Sequence, residues 1–282
     1  MSASADPSVA KQKTGRNLPI AIAAGVGLGA LVLATLFIRR EAFVVFAILA
    51  CALALYELTV AFKIRDINIP VVPLHIGSIG IIISSFNAGG EALLVSTALT
   101  AGGILVWRVL DGGGLPAVRD TTGGMFAVTY VPFMAGFVML MLSEPNGPRR
   151  VLLFIVLAVA NDVGGFAAGS LFGRHPMAPS VSPKKSWEGF FGSLILALII
   201  GPIMGLYFFD GAVVFGATLA AATVVFATLG DVSESLIKRD LGIKDMSSLV
   251  PGHGGVLDRL DSLLLTAPIA FVVMEIMLPA AA

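Results

Sequence analysis

The sequence predicts an all-α, polytopic integral membrane protein with about nine transmembrane helices and a cytoplasmic N-terminus. Three observations lead to this fold class: an apolar composition, a series of long apolar runs, and an uneven distribution of lysine and arginine. Of the 282 residues, 57% are hydrophobic and 13% are charged. A soluble domain averages about 25% charged residues, so the composition excludes an ordinary soluble protein.

The apolar runs predict the helices one by one, because an α-helix needs about 20 residues to cross roughly 30 Å of hydrocarbon. Clusters of turn-forming residues separate several runs, among them NAGGE at 87–91 and DGGGLP at 111–116. The predicted spans are about 18–38, 41–62, 70–86, 91–110, 121–142, 151–172, 189–209, 211–230 and 262–280.

A polar N-terminal segment precedes these spans. We expect residues 1–17 to form a disordered cytoplasmic tail. No convincing small-x-small cleavage site follows the first apolar run, so we interpret that run as a retained span rather than a removed signal peptide.

Lysine and arginine indicate how the spans are oriented. With the N-terminus in the cytoplasm and nine alternating spans, 14 of the 18 basic residues lie inside and four lie outside. Cationic loops resist translocation, so cytoplasmic loops carry the excess of lysine and arginine. This orientation places two long polar loops, about 173–188 and 231–261, on the cytoplasmic face.

The second polar loop concentrates charge. Residues 231–261 contain ten Asp, Glu, Lys and Arg side chains, against 36 in the whole chain. If the eighth span continues helically into this loop, Asp231, Ser235 and Lys238 share one helix face, which suits the wall of a polar site. The alternative is a solvated helix end, with an ion pair between Glu234 and Lys238 that contributes about 0.2–0.5 kcal/mol.

Glycines and paired carboxylates follow in the same loop. PGHGG at 251–255 is a glycine-rich segment whose backbone N–H groups can approach an anion closely. Asp258 and Asp261 then stand one helical turn apart, with Arg259 between them. Paired aspartates suit Mg²⁺, and the basic side chains beside them suit phosphates. The loop therefore favours metal-assisted phosphoryl or nucleotidyl transfer over an ion pore, without a Walker A sequence.

The first polar loop adds further polar groups, because SPKKSWEG at 182–189 supplies hydroxyl and ammonium donors and one more carboxylate. The alternative is an ordinary basic juxtamembrane loop that binds anionic lipid. Just before this loop, Asn161 and Asp162 lie in the middle of the sixth span. A carboxylate inside a membrane span is by default a hypothesis of a functional site.

Three other residues within the spans carry ionisable or reactive side chains. Glu57 either lines the site or forms local hydrogen bonds. His75 has no titratable neighbour in the sequence, so we interpret it as structural. Cys51 is the one cysteine, which excludes an intramolecular disulfide framework, and its apolar surroundings indicate inert packing.

These segments resemble the phosphatidate cytidylyltransferase family, also called the CDP-diacylglycerol synthases. The family signature has the pattern S-x-x-K-R, then K-D, then H-G-G-x-x-D-R-x-D. It is matched here by Ser235, Lys238, Arg239, Lys244, Asp245, His253, Gly254, Gly255, Asp258, Arg259 and Asp261. The SPKK[ST]WEG element of the family and its Asn-Asp pair before a glycine-rich stretch are also present. Phe166 departs from the tyrosine of many relatives, so the resemblance assigns it no role.

The resemblance implies that CMP is transferred from CTP to phosphatidate, forming CDP-diacylglycerol and pyrophosphate for phospholipid synthesis. It implies Mg²⁺ as cofactor, bound by Asp231 and Asp258, with Asp261 as a further candidate ligand. A second, monovalent cation is left open. The expected catalytic residues are Asp231, Asp258, Lys238 and His253, the last of which either touches the nucleotide or carries a proton. The expected substrate-binding residues are Ser182, Lys184, Lys185, Ser235, Arg239, Lys244 and Arg259.

The resemblance also implies partners and a location. We expect CTP, phosphatidate and membrane lipid as partners, a homodimer, and no nucleic acid. We expect the plasma (inner) membrane as the location, with the active site facing the cytoplasm. Residues 18–150 would form the N-terminal transmembrane helices and residues 151–282 the C-terminal catalytic region.

Other classes of membrane protein are alternatives to this interpretation. A transporter or channel would also have many spans and buried carboxylates, but it does not explain charges clustered with glycines on one face. A CDP-alcohol phosphotransferase is disfavoured because its D-x-x-D-G-x-x-A-R pattern is absent. A lipid kinase, or a cytidylyltransferase for an isoprenoid or archaeal ether lipid phosphate, stays open.

Overall fold

The computed structural model describes residues 18–112, 114, 116–247 and 254–278. Within these residues the chain is almost entirely helical, which confirms the all-α class, and it adds one short β-hairpin. The helices are α1 (Leu18–Ile38), α2 (Arg40–Lys63), α3 (Val71–Leu110), α4 (Pro116–Val128), α5 (Met134–Ser143), α6 (Gly147–Phe172), α7 (Trp187–Phe208), α8 (Val213–Leu241) and α9 (Leu257–Met277). The predicted disordered tail, residues 1–17, lies outside the described residues.

Seven helical segments of the described chain are long and apolar enough to cross a membrane. They are α2, α3, the segment Pro116–Ser143, α6, α7, α8 and α9. In the same part of the chain, α1 contributes a shorter apolar stretch, Gly25–Ile38. The protein is therefore a multi-pass membrane protein, as its composition predicts.

The 40 residues of α3 fold back on themselves at the predicted NAGGE turn. Gly89 there has φ +78° and ψ −163°, a conformation that residues with a side chain rarely adopt. Contacts join the two sides of the turn. Ser84 Oγ donates a hydrogen bond to Ser96 Oγ at 3.0 Å, and Gly77 lies directly against the Thr100 side chain. The third and fourth apolar runs therefore form two adjacent antiparallel arms.

The fifth apolar run is one helical path whose pitch changes in the middle. A π-helix, Thr129–Phe133, joins α4 to α5 and contains Pro132. Proline has no backbone N–H, so the regular α-helical hydrogen-bond ladder cannot continue through it. Tyr130, Val131 and Pro132 are buried, so this irregular turn is surrounded by protein.

The helices α6, α7, α8 and α9 pack in chain order, each against the next. Glycines bring their backbones close together. A Cβ atom on Gly164 of α6 would lie 2.7 Å from the carbonyl oxygen of Gly192 on α7. A Cβ atom on Gly216 of α8 would lie 2.1 Å from the carbonyl oxygen of Gly201 on α7. Such small residues allow the close van der Waals packing that holds membrane helices together.

The first polar loop contains a β-hairpin, where the sequence predicts only a loop. Strand β1 (Pro176–Ala178) pairs antiparallel with β2 (Ser182–Ser186). At the end of β2, Ser186 Oγ accepts a hydrogen bond from the backbone N–H of Gly189 at 3.2 Å and so caps α7. The cap fixes the direction in which the chain leaves the hairpin.

The second predicted polar loop is shorter than expected. The helix α8 continues to Leu241, as its charged face predicts, and α9 begins at Leu257 rather than near residue 262. Asp258 and Asp261 therefore lie on α9 itself. Charged residues at the start of a span lower its apparent hydropathy, which is why the run was predicted to begin too late.

We expect Gly216→Ala to weaken the packing of α8 on α7. The added methyl group would meet the backbone of Gly201, which cannot move aside as a side chain can. Overpacking of this kind lowers the free energy of unfolding by about 1–3 kcal/mol. Gly102→Ala is the matched control, because among the described residues no atom beyond its own stretch of helix lies within 4 Å of the added methyl group. Thermal unfolding in detergent measures both variants, and equal melting temperatures would contradict the tight contact.

Candidate active site

A cavity of about 480 Å³ opens where the β-hairpin meets α6, α8 and α9. Eight of the residues predicted for the site line it: Ser182, Lys184, Lys185, Asp231, Ser235, Asp258, Arg259 and Asp261. Asn161 and Asp162 of α6 also line it. The fold thus brings the two polar loops and the intramembrane aspartate to one place.

The other predicted residues lie elsewhere. Lys238 lies beside the cavity and contacts two carboxylates. Arg239 is exposed, and its Nε donates a weak hydrogen bond to the Val181 carbonyl oxygen at 3.5 Å. Lys244 is exposed and does not line the cavity. His253 lies outside the described residues.

Lys238 bridges α8 and α9. Its Nζ lies 2.5 Å from Glu234 Oε2 and 2.9 Å from Asp258 Oδ1. The Glu234 side chain is 0% exposed, so the interpretation of this pair as a solvated helix end is wrong. The i, i+4 spacing is the same for a surface pair and a buried pair, so spacing alone did not distinguish them.

The sequence does contain a signal for the burial of Glu234. Three buried residues of α8 lie on the same helix face as Glu234, at four or seven positions from it: Ala227, Gly230 and Leu241. A carboxylate on such a small and apolar face needs a cation to offset its desolvation. Lys238, one turn further along α8, supplies that cation.

Asp258 is held in place by the segments around it. Its Oδ1 accepts the hydrogen bond from Lys238 Nζ, and its Oδ2 accepts backbone N–H groups of Gly255 at 2.7 Å and Met246 at 3.1 Å. Such charge-assisted hydrogen bonds are short and directional. Asp258 therefore organises the start of α9 in addition to presenting its carboxylate to the cavity.

A second ion pair joins the hairpin to α8. Lys185 Nζ donates to Asp231 Oδ2, and both side chains are about one-quarter exposed. The pair fixes β2 over the cavity and compensates the charge of Asp231. Lys185 is predicted to bind phosphate, but here its ammonium group contacts Asp231, which is a predicted metal ligand.

The wall formed by α6 is polar in the middle of the helix. The side-chain nitrogen of Asn161 donates to Asp162 Oδ1 at 3.2 Å. The Asn161 backbone oxygen accepts a hydrogen bond from Ser193 Oγ of α7 at 2.5 Å. Among the described residues, the buried Asn161 Oδ1 has no hydrogen-bond partner. This orphaned oxygen, beside a carboxylate, marks α6 as part of the polar site.

The donor set of the cavity suits a hard cation, since four of its lining residues are aspartates: Asp162, Asp231, Asp258 and Asp261. Within the described residues, however, no three acidic, histidine or cysteine side chains are grouped closely enough to hold a metal ion by themselves. The predicted ligands Asp231, Asp258 and Asp261 therefore do not form a complete protein-made site. Mg²⁺ usually binds through one or two carboxylates together with water and substrate phosphates. The residues present fit an ion bound in that way.

The remaining polar residues of the spans have separate roles. Glu57 does not line the cavity, and its carboxylate contacts the start of α9. The His75 ring nitrogens lie 2.9 Å and 3.3 Å from the carbonyl oxygens of Val71 and Ala52, which confirms the structural interpretation. Phe166 lines the cavity but is largely exposed.

Comparison with known proteins identifies the family. The chain matches the sequence model of the cytidylyltransferase family over residues 19–277. The chain belongs to the cytidylyltransferase family. The match covers almost the whole chain, whereas the motifs recognised in the sequence lie mostly in its C-terminal half. Family membership also makes the transporter and phosphotransferase alternatives unnecessary.

Several relatives in this family carry a more specific name. The chain is 34% identical over 283 aligned positions to the phosphatidate cytidylyltransferase of Mycobacterium bovis, covering 96% of this chain and 92% of that protein. It is 35% identical over 280 positions to the phosphatidate cytidylyltransferase of Mycobacterium leprae, covering 94% and 90%. The Staphylococcus aureus protein of the same name is 30% identical over 236 positions, covering 82% and 88%.

We expect Lys238→Met to destabilise the protein, because it leaves the carboxylates of Glu234 and Asp258 close together without a cation. Removing one partner of a buried ion pair costs about 3–5 kcal/mol of unfolding free energy. The double variant Lys238→Met/Glu234→Gln should recover part of this loss, since a neutral amide replaces one buried charge. Unfolding of the variants in detergent measures the coupling.

Lys63→Met provides the matched control, because Lys63 is exposed at the end of α2. Surface substitutions away from packed features usually change stability by about 0.5 kcal/mol or less. A Lys238→Met protein as stable as the Lys63→Met protein would show that the bridge contributes nothing.

Proposed function

We propose that this protein transfers CMP from CTP to phosphatidate, forming CDP-diacylglycerol and pyrophosphate. The observation that carries the proposal is a single cavity into which the β-hairpin, α8 and α9 bring carboxylate, hydroxyl and basic side chains. Family membership supports the group transferred, and the names of the relatives support phosphatidate as the acceptor.

In the proposed reaction, a phosphate oxygen of phosphatidate attacks the α-phosphorus of CTP. A new phosphorus–oxygen bond forms while the bond to the pyrophosphate leaving group breaks. Both substrates are polyanions, so their mutual repulsion must be offset by positive charge before they can react. Lys184, Lys185 and Arg259 line the cavity and are the cationic groups that we assign to the phosphates.

The other assigned residues have less direct support. Ser182 and Ser235 line the cavity and can donate hydroxyl hydrogen bonds to phosphate oxygens. We assign Lys238 to holding Asp258, because its ammonium group already contacts two carboxylates. The roles of Arg239, Lys244 and His253 toward substrates rest on the family signature.

We assign Mg²⁺ binding to Asp231, Asp258 and Asp261, in company with the substrate phosphates. When bound, the ion would neutralise charge that develops on the transferring phosphoryl group. A second, monovalent cation stays part of the proposal. The chain's own contribution is to hold these carboxylates: Lys185 orients Asp231, and Lys238 orients Asp258.

We infer nine membrane spans, with the N-terminus and the cavity on the cytoplasmic side of the plasma (inner) membrane. Counting α1 and both arms of α3 brings the seven apolar helices to nine. The distribution of lysine and arginine supports the orientation. CTP would then arrive from the cytoplasm, and phosphatidate would enter from the lipid phase. Residues 18–150 would serve as scaffold and residues 151–282 as catalytic region, and the homodimer rests on the resemblance alone.

The proposal predicts that purified protein transfers label from α-³²P-labelled CTP into chloroform-extractable lipid, with Mg²⁺ and only when phosphatidate is present. Asp258→Asn should lower the rate by about 100-fold or more, because a group that stabilises the transition state is lost. Asp240→Asn is the matched control, since Asp240 is exposed near the end of the neighbouring helix α8 and does not line the cavity.

Two results would contradict the proposal. If labelled lipid formed with an isoprenoid or ether lipid phosphate but not with phosphatidate, the protein would still transfer CMP, but its acceptor would not be phosphatidate. No labelled lipid with any of these acceptors, from protein shown to be folded, would overturn the transfer itself.

A further inference from the structure

Glu57 makes contacts that span most of the chain. It lies in α2, is 1% exposed, and receives three hydrogen bonds from the segment that leads into α9. The backbone N–H of Val256 donates to Oε1 at 2.9 Å, the N–H of Leu257 donates to Oε2 at 2.8 Å, and Ser247 Oγ donates to Oε1 at 2.5 Å. The backbone partners are 199 and 200 residues away in sequence.

These hydrogen bonds replace the usual cap of a helix. The first N–H groups of an α-helix have no partner within the helix and need an acceptor. The N-cap residue of α9, Val256, has no side chain able to accept a hydrogen bond. Glu57 therefore supplies from another helix the acceptor that the local sequence lacks. Its negative charge is also favourable at the positive end of the α9 dipole.

Glu57 acts together with Asp258. Asp258 Oδ2 accepts the N–H of Gly255, so two carboxylates satisfy the three consecutive N–H groups of residues 255, 256 and 257. The absence of a side chain at Gly255 is needed here, because a Cβ atom would lie 2.6 Å from Glu57 Oε2. Asp258 and Asp261, which line the cavity, follow within the first five residues of α9.

We propose that Glu57 is a positioning residue for the transfer reaction: from α2 it fixes where α9 begins and so where Asp258 and Asp261 meet the substrates. This inference rests on the proposed function of the cavity. It assigns a task in the reaction to the N-terminal helices, none of whose residues line the cavity among those the structure describes. Glu57 itself touches no substrate.

Asp120 is a suitable comparison for Glu57. It is also 1% exposed, and it accepts the backbone N–H of Asn68 at 2.8 Å. Its other oxygen lies 2.9 Å from Arg108. Asp120 thus joins α4 to α3 and the loop before α3, and it has no hydrogen bond to α9 within the described residues. A purely structural role for buried carboxylates would make the two positions equivalent.

The test compares Glu57→Gln with Asp120→Asn in the full-length protein in detergent. In Glu57→Gln, the amide nitrogen places a donor where one of the carboxylate acceptors was, without a change in size. Hydrogen exchange of the segment 254–262, followed by mass spectrometry, should accelerate by about tenfold in Glu57→Gln, because a hydrogen bond to a charged group is lost. The same segment should be unchanged in Asp120→Asn.

Kinetics distinguish positioning from general stability. We expect kcat of Glu57→Gln to fall by about 100-fold, because small displacements of reacting groups have effects of that size. We expect KM for CTP to change by less than about threefold, since the cavity residues that bind the nucleotide are retained. Gly255→Ala should reproduce this pattern by pushing against Glu57, and Asp120→Asn should keep both constants.

Each remaining outcome counts against one specific claim. Faster exchange in Glu57→Gln with an unchanged kcat would overturn positioning, as would equal losses of kcat in Glu57→Gln and Asp120→Asn. Wild-type protein without phosphatidate-dependent activity would overturn the proposed function instead. In that case the exchange measurement would test only the contact between Glu57 and the start of α9. An unchanged exchange rate of residues 254–262 in Glu57→Gln would contradict that contact.

Discussion

The rest of the candidate site depends on one largely buried cation, Lys238, whose side chain is 14% exposed. It lies between the carboxylates of Glu234 and Asp258 and thereby joins α8 to α9. Carboxylates away from water are stable only when their charge is compensated and their lone pairs are hydrogen-bonded. With the bridge in place, Asp231 and Ser235 of α8 face the same cavity as Asp258 and Asp261 of α9. The arrangement of this polar end thus follows from the need to neutralise acidic groups inside the helix bundle.

The surrounding fold supplies what the bridge alone cannot. Glycines bring α6, α7 and α8 into backbone contact, so that Asn161 and Asp162 of α6 reach the cavity. The pair Lys185–Asp231 holds the hairpin over it. Glu57 supplies the missing cap of α9 from the N-terminal helices. We therefore propose that the C-terminal region carries the chemistry and that the N-terminal region determines part of its geometry.

Much of this could be predicted from the sequence where the determinants are local. Apolar runs of sufficient length predicted the helices, and the NAGGE turn predicted the fold-back at Gly89. The motifs contain seven of the eight predicted residues that line the cavity, and the helix-face pattern of α8 added Asp231. Long-range partners could not be predicted in this way. Glu57 meets its backbone partners only after the bundle has formed, because no spacing rule links positions about 200 residues apart.

The burial of Glu234 and the early start of α9 were also missed, for a different physical reason. Hydropathy counts a charged residue as unfavourable in a span, whether it faces lipid or a compensating partner. Here Lys238 near the end of α8 contacts Asp258 at the start of α9, and Asp231, Asp258 and Asp261 line the cavity. Both helices therefore include residues that hydropathy assigned to a loop.

The most direct test of the central claim is an experimental structure of the protein with Mg²⁺ and a non-reactive CTP analogue. The account predicts that the triphosphate lies in the cavity between the hairpin, α6, α8 and α9. Its phosphates and the metal ion would contact Asp231, Asp258 or Asp261, with Lys238 still between Glu234 and Asp258. A nucleotide bound elsewhere, or a cavity with the analogue but without a contact to any of these aspartates, would contradict it.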